Sequence, residues 1–420
     1  MSTLKVNKLR DTAGAADAIT LDPNGGAVLA GVTTVTSVKV GAAVTISESG
    51  IEASGIGITC ANINGGQIGG RRNIIINGAM QVWQRATSTT DIGGSNGYFA
   101  CDRYRSSNNG AARYTMSRST DTPNGFGYSM KIDVTTANAS PSAANYVFIQ
   151  HRIEGQDVQG FAKGSSEAKT FALSFHVKSP KTGTHIMQLE DVGNTRSVSK
   201  SYTVNAANTW EKKTILFPAD TTGAITADSE NRLQLYIWLM AGSTYNAGSL
   251  ATTWGTTVAA TRGYGQVNVF DSTSNDFYIT GIQLEVGSQA TAFEHRSFSE
   301  ELSLCQRYYY RVGLSGGNYY GGDLGIGFTD NDDTNIYVRT EFTTQMREAP
   351  TAVEQTGDAS EYKVRRDSTK TCSGVPTFSQ ATAWAAKTNF PSSSHGWGTA
   401  APVWGQTGNS DSFLAWSAEL

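Results

Sequence analysis

The chain has 420 residues, of which only 16% are charged, and a net charge of −3 with no basic tract. This balance argues against nucleic-acid binding, which depends on clustered Lys and Arg side chains. No run of 18 apolar residues occurs, so no membrane insertion is predicted. The 45 glycines and few prolines favour short strands with tight turns.

Residues 1–72 differ in composition from the rest of the chain. All 41 aromatic residues lie at or after Trp83, and residues 26–70 carry only three charges. Isoleucines recur in steps of five between β-branched and glycine residues, so one chain has too little apolar surface to build a core of its own. We predict an N-terminal attachment segment followed by an intertwined β stem of a homotrimer, with disorder as the alternative. The predicted stem core consists of Val44, Ile46, Ile51, Ile56, Ile58, Ile63 and Ile68.

Residues 73–298 contain a succession of strand patterns. The segment "TFALSFHVKS" places Phe171, Leu173, Phe175 and Val177 on one face. The segment "RLQLYIWLMAG" is apolar on both faces, so both faces of this strand are predicted to be covered. Short strands separated by turn-rich loops predict a jelly-roll β-sandwich, with Trp83 and Trp210 in its core.

Residues 299–420 are predicted to begin with a short helix and continue as a C-terminal β domain. Ser297 and Glu300 have the spacing of a helix capping box. The fold class is therefore mostly β, in three parts: a trimeric stem, a central jelly roll and a distal β domain.

The residue types needed for catalysis or metal binding do not form recognisable motifs. The four cysteines are far apart, which favours free, buried thiols. The five histidines lack the spacing of metal ligands, although His176 and His185 are expected to face each other across a hairpin. Glu190 and Asp191 are adjacent and should point to opposite faces of a strand, so they cannot flank one glycosidic bond. We predict no metal, no cofactor and no enzymatic activity, although carboxylates paired across strands remain possible as a glycosidase site.

Several segments resemble phage and prophage tail-fibre proteins. They are "RRNIIINGAMQVWQRATS" and "NGYFACDRYR" within residues 71–105, "WEKKTILFPAD" at Trp210–Asp220, the segment Ile279–Arg311, and "TQMREAPT" at Thr344–Thr351. The N-terminal "STLKVNKLRDTAGAADAITLD" is similar in style to attachment segments of marine and cyanobacterial phage fibres. The resemblance implies a virion protein made in the host cytoplasm, with a jelly roll similar to carbohydrate-binding modules. It also implies docking on a tail or baseplate protein and binding to a host surface polysaccharide.

Binding of sugars requires aromatic rings beside hydrogen-bonding side chains. Two regions offer both, and we favour the C-terminal one because it should lie farthest from the attachment end. The first set is Trp384, His395, Trp397 and Trp404. The second set is Tyr245, Trp254, Arg262 and Tyr264. The alternative is that most of these rings pack within their own domain or in the trimer interface.

Two functions of different classes follow from the sequence. The first is a non-catalytic tail fibre that binds host glycans, and the second is a tailspike-like depolymerase that cleaves them. A depolymerase usually needs a long β-helical body, and no repeat of that length is visible. A secreted bacterial carbohydrate-binding protein is disfavoured, because "MSTLKVNKLRDTAG" lacks the apolar region of a secretory signal.

Overall fold

The computed structural model describes residues 71–313, 322–408 and 411–420 in full, and the backbone of six short strands within residues 1–70. The chain forms two compact units, Met1–Ala61 and Asn62–Leu420. The boundaries that the sequence suggests at residues 72 and 298 stay predictions. In the part of the chain described, no helix has the length and apolar character needed to cross a membrane.

The N-terminal unit contains two antiparallel sheets of three strands. The first consists of β1 (Lys8–Arg10), β2 (Asp17–Leu21) and β3 (Ala27–Leu29), and the second of β4 (Ser37–Val40), β5 (Val44–Ser47) and β6 (Gly50–Ala53). Ile46 pairs with Ile51, and Val44 with Ala53, between β5 and β6. The step of five between Ile46 and Ile51 is the spacing of two residues paired across this hairpin. Ile56, Ile58, Ile63 and Ile68 lie outside the described residues, and the trimeric stem stays a prediction.

Residues 88–286 form the predicted β-sandwich. Its strands are β7 (Ser88–Ile92), β8 (Gly97–Tyr98), β9 (Tyr104–Asn108), β10 (Arg113–Ser119), β11 (Ser129–Thr136), β12 (Tyr146–Glu154), β13 (Phe171–Lys178), β14 (Gly183–Asp191), β15 (Arg196–Val204), β16 (Glu211–Phe217), β17 (Asn231–Ala241), β18 (Gly255–Thr256) and β19 (Asp276–Val286). A six-stranded sheet has the order β16-β13-β19-β11-β10-β7, and a seven-stranded sheet has the order β18-β15-β14-β17-β12-β9-β8. Short 3-10 helices cover Gly155–Phe161, Ala259–Thr261, Val269–Asp271 and, further along the chain, Ala359–Glu361.

The core of the sandwich follows the predicted alternation. Phe171, Leu173, Phe175 and Val177 of β13 are all buried between the sheets. On β17, alternate residues such as Leu235 join this core, while those between them form a second apolar cluster on the opposite face of the seven-stranded sheet. Both faces of β17 are therefore covered, as expected from its sequence.

Two sequence-based expectations for the sandwich are wrong. Trp83 does pack against the core, but Trp210 lies on the outer surface, where its indole N–H donates to Asp121 at 2.9 Å. Trp210 directly precedes β16, which is an edge strand, so its ring lies at the margin of the sheet, half-buried against Tyr278. His176 and His185 do not face each other, because β13 and β14 belong to different sheets.

A single α-helix within residues 71–313 follows the sandwich. Helix α1 (Phe298–Gln306) begins after Ser297, whose hydroxyl accepts the backbone N–H of Glu300, so the predicted cap is confirmed. Cys305 and Tyr308 are buried against Ile76 and Val82. The helix thus packs on the segment that leads into the sandwich.

The distal region forms two further antiparallel sheets. Its strands are β20 (Tyr309–Gly313), β21 (Asp323–Thr329), β22 (Asn335–Glu341), β23 (Glu354–Gln355), β24 (Tyr362–Arg365), β25 (Thr369–Thr371), β26 (Thr377–Ala381), β27 (Ala385–Pro391), β28 (Pro402–Thr407) and β29 (Phe413–Ser417). The larger sheet has the order β25-β24-β28-β21-β22-β27-β26, and the smaller has the order β20-β29-β23. One core joins them, built on residues such as Trp416 and Phe390. The prediction of a mostly β chain is confirmed.

The cysteines agree with the expectation of free, buried thiols where they are described. Cys101, Cys305 and Cys372 are unpaired and buried. Burial raises the pKa of the Cys372 thiol to about 12, so this thiol stays protonated at neutral pH. Cys60 lies outside the described residues.

Candidate functional site

The outer face of the larger distal sheet exposes a row of apolar side chains. In β21, β22 and β28, alternate residues such as Val338 and Val403 are buried in the core, so the residues between them point outward. Among these outward side chains, Ile326 is 60% exposed, Phe328 56% and Trp404 41%. Large apolar side chains on neighbouring strands form a patch rather than isolated exposures, and such patches mark binding surfaces.

The strand register brings these side chains together. Ile326 pairs directly with Trp404 on β28, and Phe328 pairs with Tyr337 on β22 and with Pro402 on β28. The five side chains lie in two adjacent rows that run across the strands. Side chains paired in this way have Cβ atoms about 5 Å apart, so the rings can contact one ligand together.

The patch forms the floor of an open groove of about 1180 Å³. Most of the lining comes from β28, β21, β22, β27 and β26, which are neighbours in that order, and Val312 of β20 contributes from the smaller sheet. Because adjacent strands lie about 4.8 Å apart, a groove that crosses five strands is about 19 Å long. This length suits an extended chain of several sugar units better than a single small molecule.

Polar groups flank the apolar floor. Arg339 bonds to Glu341 at 2.5 Å, and the amide of Gln406 donates to Asp323 at 3.1 Å. The Lys387 ammonium lies 4.0 Å from the centre of the Tyr337 ring. The groove therefore combines rings with charged and amide hydrogen-bonding groups, which is the combination that sugar binding requires.

Two glycines on β21 explain how this floor is built. A Cβ on Gly327 would lie 1.8 Å from the backbone oxygen of Tyr337, and one on Gly325 would lie 2.2 Å from that of Arg339. Only glycine allows β21 to approach β22 this closely. The sequence "DLGIGFT" therefore places Ile326 and Phe328 on the outer face of a strand that lies close against β22.

The structure separates the four residues of the first predicted set. Trp404 lines the groove, and the 56% exposed Trp384 lies between Thr382 and Ala385, two groove residues. Trp397 is half-buried against the distal core. His395 is only 1% exposed and lies 2.9 Å from Asp333, so it is not placed to contact a ligand. We keep Trp404 and Trp384 as candidates for ligand contact.

The second predicted set is mostly enclosed by its own domain. Arg262 bonds to Glu190 at 2.8 Å and stacks over Tyr236, and Tyr245 packs against Trp238. The indole N–H of Trp254 donates to a backbone oxygen at 2.8 Å, and the ring packs against the sandwich core. Tyr264 is the member of this set that remains exposed. Tyr245, Trp254 and Arg262 are therefore half-buried within the sandwich, and Tyr264 stays accessible.

Sequence reasoning missed Ile326, Phe328 and Tyr337. Each is a single apolar residue in a short strand. Its outward direction becomes clear only from the structure, where the residues next to it in the strand are buried. The available signal was the pattern Leu-Gly-Ile-Gly-Phe in β21, where glycines separate bulky side chains. Glycine inside a strand pattern indicates close backbone approach or a special surface.

The acidic side chains considered for chemistry are engaged in other contacts. Glu190 accepts from Arg262 on one face of β14, whereas Asp191 accepts from Lys163 at 2.6 Å on the other. In the turn after β21, Asp332 accepts the backbone N–H groups of Thr334 and Asn335, which lowers its pKa to about 2. Among the described residues, no group of three or more His, Cys, Asp or Glu side chains is placed to bind a metal ion.

Comparisons with known proteins give only distant structural likenesses. No family model matches the sequence, and no curated protein matches it significantly. The enzymatically active domain of Bacteriophage CBA120 tailspike protein 4 is similar over 51% of this chain and 21% of its own, with 12% identity and a TM-score of 0.25.

Several of the similar solved structures are carbohydrate-binding modules. A CBM4 module is similar over 50% of this chain and 99% of its own, with 10% identity and a TM-score of 0.27. TmCBM61, in complex with β-1,4-galactotriose, is similar over 51% and 99%, with 9% identity and a TM-score of 0.28. At these scores the likenesses carry no argument about the function of this chain.

Proposed function

We propose that this chain is a non-catalytic, trimeric tail fibre of a phage virion that binds a host surface glycan through the groove of its distal sheet. Its N-terminal segment docks on a tail or baseplate protein. The observation that carries the glycan-binding part is the open groove floored by Trp404, Phe328 and Tyr337 and flanked by charged and amide groups.

The groove suits a sugar chain for physical reasons. The apolar face of a pyranose packs on a flat ring, and its hydroxyls need donors and acceptors at the edge of that ring. Gln406, Arg339 and Glu341 supply such groups on the same strands. Three copies of a shallow site on one trimer bind with much greater avidity than one, so each site can be weak.

Binding without cleavage is supported by the contacts of two carboxylates in the groove. Glu341 is held in an ion pair with Arg339, and Asp323 accepts a hydrogen bond from Gln406. A glycosidase needs one protonated and one ionised carboxyl group on either side of the bond to be cleaved. Both carboxylates are engaged by neighbouring side chains of the protein, which favours binding over cleavage.

The first test compares polysaccharide binding by the wild type and by Trp404→Ala. We expect Trp404→Ala and Phe328→Ala to weaken binding to bacterial surface polysaccharides by roughly 5- to 30-fold, because a stacked ring contributes about 1–2 kcal/mol. Biolayer interferometry on immobilised polysaccharide measures this loss, and thermal unfolding checks that the variants stay folded. Trp210→Ala is the matched control, because Trp210 is a surface tryptophan of the jelly roll and lies outside the groove.

Two outcomes would contradict the proposal. Unchanged binding by a folded Trp404→Ala variant would remove the groove as the glycan site. Saturable release of reducing ends from the same polysaccharides by the wild type would make the chain a depolymerase.

A further inference from the structure

We propose that the glycan bound in this groove is anionic, and that Arg339 and Lys387 hold its negatively charged group. This inference rests on the proposed function, because it specifies the ligand of the same groove. The anionic group is a carboxylate, sulfate or phosphate on the sugar chain, since all three offer oxygens to the same donors.

The first observation is a like-charge pair on the groove floor. Arg339 on β22 and Lys387 on β27 are direct partners in the antiparallel register, and both point outward. Directly opposed side chains have Cβ atoms about 5 Å apart, and like charges in this position are destabilising. An anion seated between the two cations removes this repulsion.

The second observation is that the protein neutralises only one of the two cations. Glu341 pairs with Arg339 at 2.5 Å. The ammonium of Lys387 lies over the Tyr337 ring, and no carboxylate of the described residues is within salt-bridge distance of it. Lys387 therefore presents an uncompensated positive charge beside the rings on which a sugar would stack.

The third observation is the charge of the whole outer face. The outward residues of its strands include four basic side chains, Lys363, Arg365, Arg339 and Lys387. Asp323 and Glu341 on the strands and Asp330, Asp332 and Asp333 in the turn after β21 are acidic, so the face as a whole carries no net positive charge. The feature that favours an anion is therefore the adjacent pair of Arg339 and Lys387, and not the charge of the whole face.

The strand register also indicates how an anionic glycan would be oriented in the groove. Arg339 is the direct partner of Ile326, which in turn pairs with Trp404, while Tyr337 is two residues away on the same strand and face. A sugar ring over Tyr337 and Phe328 therefore places a charged substituent within reach of Arg339 and Lys387. The stacking contacts and the charge contacts belong to one binding mode.

The test uses the full-length protein with immobilised polygalacturonate, dextran sulfate and uncharged dextran. We expect the protein to bind at least one of the anionic polymers, polygalacturonate or dextran sulfate, more strongly than it binds dextran. Binding to the anionic polymer should weaken as the NaCl concentration rises. Lys387→Gln should weaken binding to the anionic polymer by about three- to tenfold and reduce its salt dependence. Glu341→Gln should strengthen it, because this change frees Arg339.

Lys212→Gln is the matched control, since it removes the charge of an exposed strand lysine on the jelly roll and should leave binding unchanged. A preference for one anionic polymer supports the inference and identifies the charged group as carboxylate or sulfate. Equal binding to dextran, absence of binding to both anionic polymers, or an equal loss in Lys387→Gln and Lys212→Gln would overturn it. Binding to dextran that Trp404→Ala abolishes would still support the proposed function, so the two failures are distinguishable.

Discussion

The ammonium of Lys163 lies in a pocket of oxygen atoms at one end of the jelly roll. It is within 3.0 Å of carboxylate oxygens of Asp191 and Asp220 and of the backbone oxygens of Thr222 and Gly223. Arg196 also bonds to Asp220, at 2.8 Å. A buried carboxylate is tolerated only when charges and hydrogen bonds compensate its lost hydration. Lys163 therefore ties the loop after β16 to the end of β14.

Replacing this ammonium should cost much of the stability of the domain. We expect Lys163→Met to lower the free energy of unfolding by about 3–5 kcal/mol, because two carboxylates lose a buried partner. Urea unfolding at neutral pH, followed by tryptophan fluorescence, measures the change. Lys212→Met is the control and should stay within about 0.5 kcal/mol of the wild type, because its side chain is exposed. Equal effects of the two variants would show that the ion cluster contributes nothing.

At the same scale, the sequence identified some surface tryptophans but not their neighbours. Trp404 was a candidate because it lies in an aromatic, polar segment of the chain, and it does line the groove. His395 came from the same segment and is buried, because Asp333 from the turn after β21 contacts it at 2.9 Å. The composition of the segment around a residue does not predict which loop, distant in the sequence, packs over it.

At the scale of single elements, β21 depends on glycine for its position. Its backbone approaches β22 so closely at Gly327 that no side chain fits between them. Ile326 and Phe328, on either side of this glycine, point outward in register with Trp404 and Tyr337. The glycine is required for the groove as well as for the strand.

A side chain at this position should damage both stability and binding. We expect Gly327→Ala to cost at least about 2 kcal/mol of unfolding free energy, because β21 and β22 must separate, and to weaken glycan binding. Thermal unfolding and biolayer interferometry provide the two measurements. Gly127→Ala is the control, because nothing lies within 4 Å of the Cβ it would add. Normal stability and binding in Gly327→Ala would mean that the close approach has no consequence.

At the scale of the whole molecule, the jelly roll and the distal domain share a buried charge network. Glu419 pairs with Arg85 and Arg103, and the Arg103 guanidinium stacks on the Tyr308 ring at 3.4 Å. Glu154 of β12 accepts from Arg307 at 2.7 Å and from Tyr308. Because removing one partner leaves buried charges unpaired, deletion of the distal domain would also destabilise the jelly roll. Single substitutions in the groove therefore test its function more cleanly than truncation does.

The oligomeric state is the prediction that concerns the complete protein. We expect light scattering at micromolar concentration to give three times the chain mass of 44.7 kDa. Ile56→Asp should lower this mass, because a threefold axis would bring three carboxylates together in an apolar stem. A wild-type mass equal to that of one chain would contradict the trimer. The control is Lys39→Asp, which changes the charge of a residue that is already polar.

The sequence alone determined the class of the fold and its best-defined elements. The side chains of a strand alternate between two faces. The alternating apolar residues of β13 therefore indicate one buried face, and the continuous apolar residues of β17 indicate two. The cap at Ser297 is equally local, since it depends on residues three positions apart. Such patterns are read directly from neighbouring residues.

Contacts between segments that are distant in the sequence determine which side chains form the groove and which are covered. Trp404 and Ile326 are far apart in the sequence, and the pairing of β21 with β28 places them side by side. Arg262 is withdrawn from the surface because Glu190 on β14 binds it. Strand order and register follow from long-range packing of the whole core, so the composition of one segment cannot specify them.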